Sequence, residues 1–131
     1  MLIRILVFTV IVGLNSFMSN AQQTINGTID HDGIARDYIL YVPASYAAGT
    51  AMPLLLCFHG YGSTSANIRN YSNFNSIADT ANFMVAYPQG TVYGGNTHWN
   101  VGGWIIGSPI DDVGFTDALL DTLIDSYSVD T

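Results

Sequence analysis

The chain has 131 residues, enough for one domain, and its formal net charge is −7 because ten aspartates face only three arginines. This balance repels phosphate backbones and anionic bilayer surfaces, which argues against nucleic acid and peripheral membranes as partners. The single cysteine, Cys57, excludes an internal disulfide and lies within an apolar run, as a small buried side chain would.

The first residues have the layout of a secretory signal peptide. Arg4 precedes an apolar run over Ile5–Leu14, and the small-residue site Ser19-Asn20-Ala21 stands before Gln22. The run is shorter than the roughly 20 residues that a membrane-spanning helix needs. We therefore predict residues 1–21 as a signal peptide and residues 22–131 as a secreted, extracellular or periplasmic partial domain. An uncleaved anchor is the alternative.

Three strands are predicted in the first part of this domain. Thr24–Asp30 and Ile34–Val42 have strand patterns and are joined at His31-Asp32-Gly33, which favours a hairpin turn. Pro53–Phe58 is continuously apolar, which is typical of a strand that is covered on both faces in a parallel sheet.

The second part alternates helices and a strand. Apolar residues at helical spacing predict a short helix over Asn73–Ala81, and Phe83–Tyr87 predicts another buried strand. Gln89–Ile110 is predicted as a long loop with six glycines and both tryptophans. The order of elements favours an α/β fold, with a sheet whose opening half is present.

The last predicted helix begins at Asp111 or Asp112, which would cap it, and ends near Tyr127. Its inner face is predicted to consist of Val113, Leu120, Ile124 and Tyr127. Three aspartates at a spacing of four, Asp117, Asp121 and Asp125, are interpreted as a solvated face rather than a metal site.

The candidate functional loop is His59-Gly60-Tyr61-Gly62, directly after the Pro53–Phe58 strand. In acyl-transfer enzymes a loop at this place presents a backbone N–H to the oxygen that becomes negative in the tetrahedral intermediate. Glycine lets the backbone approach the substrate and adopt positive φ angles. An ordinary strand-to-loop turn is the simpler alternative.

An ordered set of motifs runs through about residues 34–130. It consists of Arg36-Asp37-Tyr38, Tyr41-Val42-Pro43, Pro53–Leu56, His59-Gly60, Ala78, Phe83, Val85, Tyr87-Pro88, Trp99-Asn100 and Asp111–Phe115. This set resembles the secreted α/β-hydrolase esterases of the polyhydroxybutyrate depolymerase and feruloyl/acetylxylan esterase group.

The resemblance implies the N-terminal half of an α/β-hydrolase sheet, truncated before the strand that carries the nucleophile. It implies a serine esterase acting on polyester or on ester-decorated plant polysaccharide, without cofactor or metal. The serine elbow, the acid and the histidine would all lie downstream, so no catalytic residue is expected in this chain and the chain alone is expected to be inactive. His59, Gly60, Tyr61 and Gly62 would form the oxyanion loop.

Trp99, Asn100 and Trp104 would line the substrate site. Trp99, Trp104 and Tyr93 suit stacking on a sugar or an aromatic acyl group, although they would equally serve to pin the loop to the sheet.

Other constellations are weaker. Ser63, Asp79 and His98 have the hydrolase order, but Ser63 has no Gly-x-Ser-x-Gly context. His31 with its neighbours Asp30 and Asp32 suggests a metal, yet a tight turn explains all three residues.

The adjacent carboxylates of Asp111 and Asp112 cannot flank a glycosidic bond from opposite sides, so capping is preferred for them. A short, non-catalytic secreted protein that binds a polymer through Tyr93–Trp104 remains the alternative function. An exposed edge at Leu54–Phe58 is expected to make the chain weakly stable and prone to association.

Overall fold

The computed structural model describes residues 21–102 and 107–131. Except for Ala21, the predicted signal peptide lies outside the described residues, and so does Trp104. Within the described ranges, no helix has both the length and the apolar character that a bilayer crossing requires.

The chain begins with a regular hairpin. Strand β1 (Gln23–His31) pairs antiparallel with β2 (Ile34–Val42) along their whole length. The two turn residues, Asp32 and Gly33, have φ angles of 54° and 73°, as in the mirror-type turns whose twist suits a two-residue hairpin. Both the predicted strands and the predicted turn are therefore confirmed.

Two further strands complete a four-stranded sheet in the order β1-β2-β4-β3. Strand β3 (Leu54–Leu56) runs parallel to β4 (Met84–Pro88), and β4 is antiparallel to β2. All five residues of β4 are buried, but the three of β3 are only half-buried. The prediction that the Pro53–Phe58 run is covered on both faces holds in part. Leu54 and Leu56 pack against one core cluster and Leu55 against the other, but burial is incomplete because β3 lies at the edge of the sheet.

Helices pack on both faces of this sheet, so the architecture is mixed α/β. Helix α3 (Asp112–Ser126) covers the face that carries Leu40 and Val42. Helices α1 (Ser65–Ser72) and α2 (Phe74–Ala81) lie on the side of Ile39 and Tyr41. Strand β4 and residues 39–42 of β2 are thus enclosed from both sides, which explains their burial.

Helix α3 presents a different face to the core than the sequence suggested. Its N-cap is Asp111, as predicted, and the three aspartates of the predicted solvated face are exposed. However, the buried apolar residues are Phe115, Leu119 and Leu123, whereas Val113 is 67% exposed and Ile124 is 40% exposed. Of the predicted inner face, Tyr127 packs against the core and Leu120 is half-buried, but Val113 and Ile124 are wrong. Two apolar stripes share the helical period, and the buried stripe is the one that also carries the buried Asp112.

One helix and the two strands of a small hairpin were not predicted. Helix α1 begins at the N-cap Thr64, whose hydroxyl accepts the Asn67 N–H at 3.1 Å. The segment predicted as one long loop contains a small hairpin, β5 (Thr91–Tyr93) with β6 (Asn96–His98), turning at Gly94-Gly95. Both glycines have positive φ angles, and Gly-Gly is a known two-residue hairpin signal.

Candidate functional site

His59 lies at the start of the predicted oxyanion loop and is almost fully buried. Its Nε2 accepts the Gly90 N–H at 2.9 Å, which assigns the proton to Nδ1. Nδ1 then donates to the carbonyl oxygen of Gly60 at 2.8 Å. Because both ring nitrogens are engaged, the neutral imidazole stabilises the conformation of the loop and is not placed to act as a general base.

The rest of this loop is anchored at Gly62 and exposed at Gly60. The Gly62 N–H donates to the Thr97 carbonyl in β6 at 2.8 Å, and Gly62 has a φ of 73°. Gly60 is exposed, and a Cβ placed on it would meet no atom within 4 Å. Tyr61 is also exposed. The backbone at Gly60 therefore faces space that a ligand can occupy, whereas the conformation of the loop depends on Gly62.

Trp99 connects this loop to a neighbouring groove. Its indole Nε1–H donates to the His59 carbonyl oxygen at 2.9 Å. The indole meets the Phe58 ring edge-on, with centroids 5.0 Å apart, and lies nearly parallel to the Phe115 ring at 6.4 Å. Trp99 therefore anchors the loop to the core and also forms one wall of the groove.

The groove has a volume of about 340 Å³ and is mainly apolar. Eight residues line it, four of them apolar and four polar. The apolar residues are Phe58, Trp99, Val101 and Val113, and the polar residues are Asn100, Asp112, Thr116 and Asp117. A small acyl group or one face of a sugar ring fits a surface of this character.

Asn100 lines the groove, and its polar groups bond to the neighbouring loop. Its backbone N–H donates to Asp112 Oδ2 at 2.6 Å. Its side-chain amide donates to the carbonyl oxygens of Ser108 and Ile110 at 3.2 and 2.8 Å. Asn100 therefore closes the loop around residues 100–110 and holds the groove in shape. Trp104, the third predicted lining residue, is outside the described residues.

A buried ion pair supports the groove from inside, and the sequence analysis missed it. Arg36 Nη2 lies 2.5 Å from Asp112 Oδ1, and both side chains are almost fully buried. The guanidinium carbon is 3.9 Å from the centre of the Phe115 ring. A signal was available, since strand alternation places Arg36 on the same inward face as Leu40 and Val42. A charge at such a position requires a buried partner.

The structure does not assemble the Ser63, Asp79 and His98 constellation. His98 is fully buried, and its Nε2 is bonded to the hydroxyl of Ser108, 2.8 Å away, rather than to Ser63. The Asp79 carboxylate accepts the Tyr41 hydroxyl at 2.6 Å. The rejection of this triad therefore agrees with the geometry.

Comparison with known proteins gives one distant similarity. Over 109 residues, 83% of the chain, the sequence is 28% identical to a bifunctional acetylxylan esterase/xylanase from Neocallimastix patriciarum. The chain spans 15% of the length of that protein. No family model matches the sequence. The similarity supports a relationship to esterases at a coarse level, and the named activities belong to the relative.

Proposed function

We propose that this chain supplies the oxyanion loop and the acyl-binding groove of a serine esterase that removes acetyl groups from plant polysaccharide. The observation that carries the proposal is the bond from the Trp99 indole to the His59 carbonyl. It fixes an apolar groove directly beside a glycine loop with an open backbone. The distant similarity to an acetylxylan esterase/xylanase supports the choice of an acetyl ester.

In this proposal the acetyl methyl enters the groove between Phe58 and Trp99. Its carbonyl oxygen then points to the backbone around Gly60, where an N–H would stabilise the oxyanion of the tetrahedral intermediate. A serine attacks the carbonyl carbon, the sugar hydroxyl leaves with a proton, and water releases acetate from the acyl-serine. The full donor set of such a hole includes the N–H that follows the serine.

The nucleophile belongs to residues outside this chain. None of its serines stands in a Gly-x-Ser-x-Gly elbow, and His59 and His98 are both committed to structural hydrogen bonds. The chain is therefore expected to bind the acetylated substrate without hydrolysing it.

The test is calorimetric titration of the chain with acetylated xylo-oligosaccharides and with the same oligosaccharides after deacetylation. Val101→Asp places a charge in the groove wall, at a residue that is 68% exposed. Val92→Asp is the matched control, because Val92 is 67% exposed on β5 and does not line the groove.

We expect the acetylated ligand to bind at least tenfold more tightly than the deacetylated one. Val101→Asp should abolish this difference and Val92→Asp should preserve it, since Val101→Asp replaces part of the apolar wall beside the acetyl methyl with a charged group. Equal binding of both ligands would instead support the non-catalytic, polymer-binding alternative. Absence of any binding would reject both functions for this groove.

A further inference from the structure

We propose that His31, Asp32 and Asp111 form a binding site for a divalent cation of the zinc type, a function separate from the proposed ester site. The three residues meet where the tip of the β1–β2 hairpin touches the start of α3. His31 Nε2 lies 3.5 Å from Asp111 Oδ2 and 3.7 Å from Asp32 Oδ2. One ligand atom from each residue falls within 4.8 Å of the others.

These separations suit a shared cation better than direct hydrogen bonds. Zinc binds imidazole nitrogen and carboxylate oxygen at about 2.0–2.2 Å, so two ligands at the tetrahedral angle are about 3.4 Å apart. Hydrogen bonds between nitrogen and oxygen are commonly about 2.9–3.0 Å long. The cluster needs only small side-chain movements to close around an ion.

The His31 nitrogen provides an independent reason. Nε2 is buried, and among the described residues it has no hydrogen-bond partner. A buried polar atom without a partner is costly and requires an explanation. This atom faces the two carboxylates, and a cation between them would satisfy it.

The hydrogen bonding of Asp111 leaves one of its carboxylate oxygens available to bind a metal ion. Its Oδ1 accepts the Gly114 N–H at 2.9 Å as the helix cap, which leaves Oδ2 directed to His31. The carboxylates of Asp111 and Asp32 together offset the positive end of the helix dipole.

The ligand set selects the class of metal. One imidazole with two carboxylates suits zinc and related transition metals, whereas calcium prefers six to eight oxygen ligands. Asp32 and Asp111 are exposed, so water can complete the coordination sphere. The bound ion would join the hairpin tip to α3, next to the buried Arg36–Asp112 pair.

The first measurement is isothermal titration of the full chain with zinc chloride near pH 7, repeated with calcium chloride. His31→Gln removes the nitrogen ligand, and Asp111→Asn removes a ligand charge while it keeps a good N-cap residue. Asp121→Asn is the matched control, because it removes one exposed charge from the same helix outside the cluster. Circular dichroism establishes that each variant is folded.

We expect one zinc ion per chain, with affinity reduced at least tenfold in His31→Gln and Asp111→Asn and unchanged in Asp121→Asn. Zinc should raise the melting temperature of the unsubstituted chain, and calcium at the same concentration should not. The proposal is overturned if the unsubstituted chain binds no stoichiometric zinc. It is also overturned if His31→Gln binds zinc equally well, since the metal would then be held by the general negative charge of the chain.

A third result would also overturn the proposal. This result is a melting temperature of the unsubstituted chain that zinc leaves unchanged, because an ion that binds the folded state must stabilise it.

Discussion

Gly62 shows how a single residue holds the candidate oxyanion loop in place. Its φ of 73° lies in the left-handed region, which side chains with a Cβ disfavour. We expect Gly62→Ala to lower the free energy of unfolding by about 1–2 kcal/mol. Urea denaturation measures this change.

Gly60→Ala is the control for this substitution. Gly60 is not among the positive-φ glycines, and it has open space where a Cβ would stand. The free energy of unfolding should therefore change by less than about 0.5 kcal/mol. Equal losses in the two alanine variants would contradict the assignment of the strained position to Gly62.

The pair of Arg36 and Asp112 joins residues that are 76 positions apart. Asp112→Ala would leave a buried guanidinium without its counter-charge and the Asn100 N–H without its acceptor. We expect a loss of roughly 3–5 kcal/mol in the free energy of unfolding, measured by urea denaturation.

The double variant Arg36→Met/Asp112→Leu tests the cause of that loss. Removing both charges together should restore part of the stability, because no buried charge then remains unpaired. If the double variant loses as much free energy of unfolding as Arg36→Met and Asp112→Leu lose in sum, the two side chains do not act as a pair.

Tyr41 links stability to alkaline pH. Burial, and after it the hydrogen bond to Asp79, raises the pKa of Tyr41 from 10.0 to about 12. The folded state therefore holds this proton more tightly than the unfolded state does. Stability from this group is complete below pH 10 and is lost as the pH rises to about 12.

The measurement for Tyr41 is the free energy of unfolding between pH 9 and pH 12, with Tyr41→Phe as the comparison. The slope with pH should be shallower in Tyr41→Phe, since phenylalanine has no proton to lose. Identical slopes in the two proteins would show that Tyr41 ionises alike in both states.

At the scale of elements, helix α3 shows that hydrophobic spacing alone does not determine which face of a helix is buried. Leu119 is fully buried against the sheet, but Ile124 is 40% exposed. We expect Leu119→Ala to lower the free energy of unfolding by about 2–5 kcal/mol through lost contacts and a cavity. Ile124→Ala should change it by less than about 1 kcal/mol. The opposite order in thermal or urea unfolding would support the face that the sequence suggested.

The elements also show which sequence patterns were informative. The turn signal at Asp32-Gly33 predicts the observed hairpin, whereas the equivalent Gly94-Gly95 signal lies within the long glycine-rich segment that is predicted as a loop. The Pro53–Phe58 run predicted the place of β3 but overestimated its cover, since burial depends on what lies beside a strand. The spacing of apolar residues along the chain predicts the type of element, whereas the segments packed around that element determine how exposed its side chains are.

At the scale of the whole molecule, the edge strand β3 governs solution behaviour. Within the described residues, β3 pairs with β4 alone, and Pro53, Leu54, Leu55, Ala81 and Phe83 line an open apolar surface beside it. An open edge with apolar surroundings favours pairing between chains. We expect the chain to form dimers and larger species as its concentration rises.

Light scattering after size-exclusion chromatography, over a wide range of loading concentrations, measures this association. A thermal melt followed at the same concentrations should be broad and dependent on concentration. A monomer with a sharp melt that does not change with concentration would contradict the prediction.

Local sequence was enough to place the β1–β2 hairpin, the buried strand β4, the cap of α3 at Asp111 and the exposure of its aspartates. Turn preferences, hydrophobic period and capping act between residues that are close along the chain, so a single sequence contains them. The side of α3 that packs, the partner of Arg36 and the approach of His31 to Asp111 emerged from the folded chain. Each of these depends on contacts between segments that are distant in the sequence. Several arrangements share the same local pattern, and the folded chain adopts the one that packs well and leaves no buried charge unpaired.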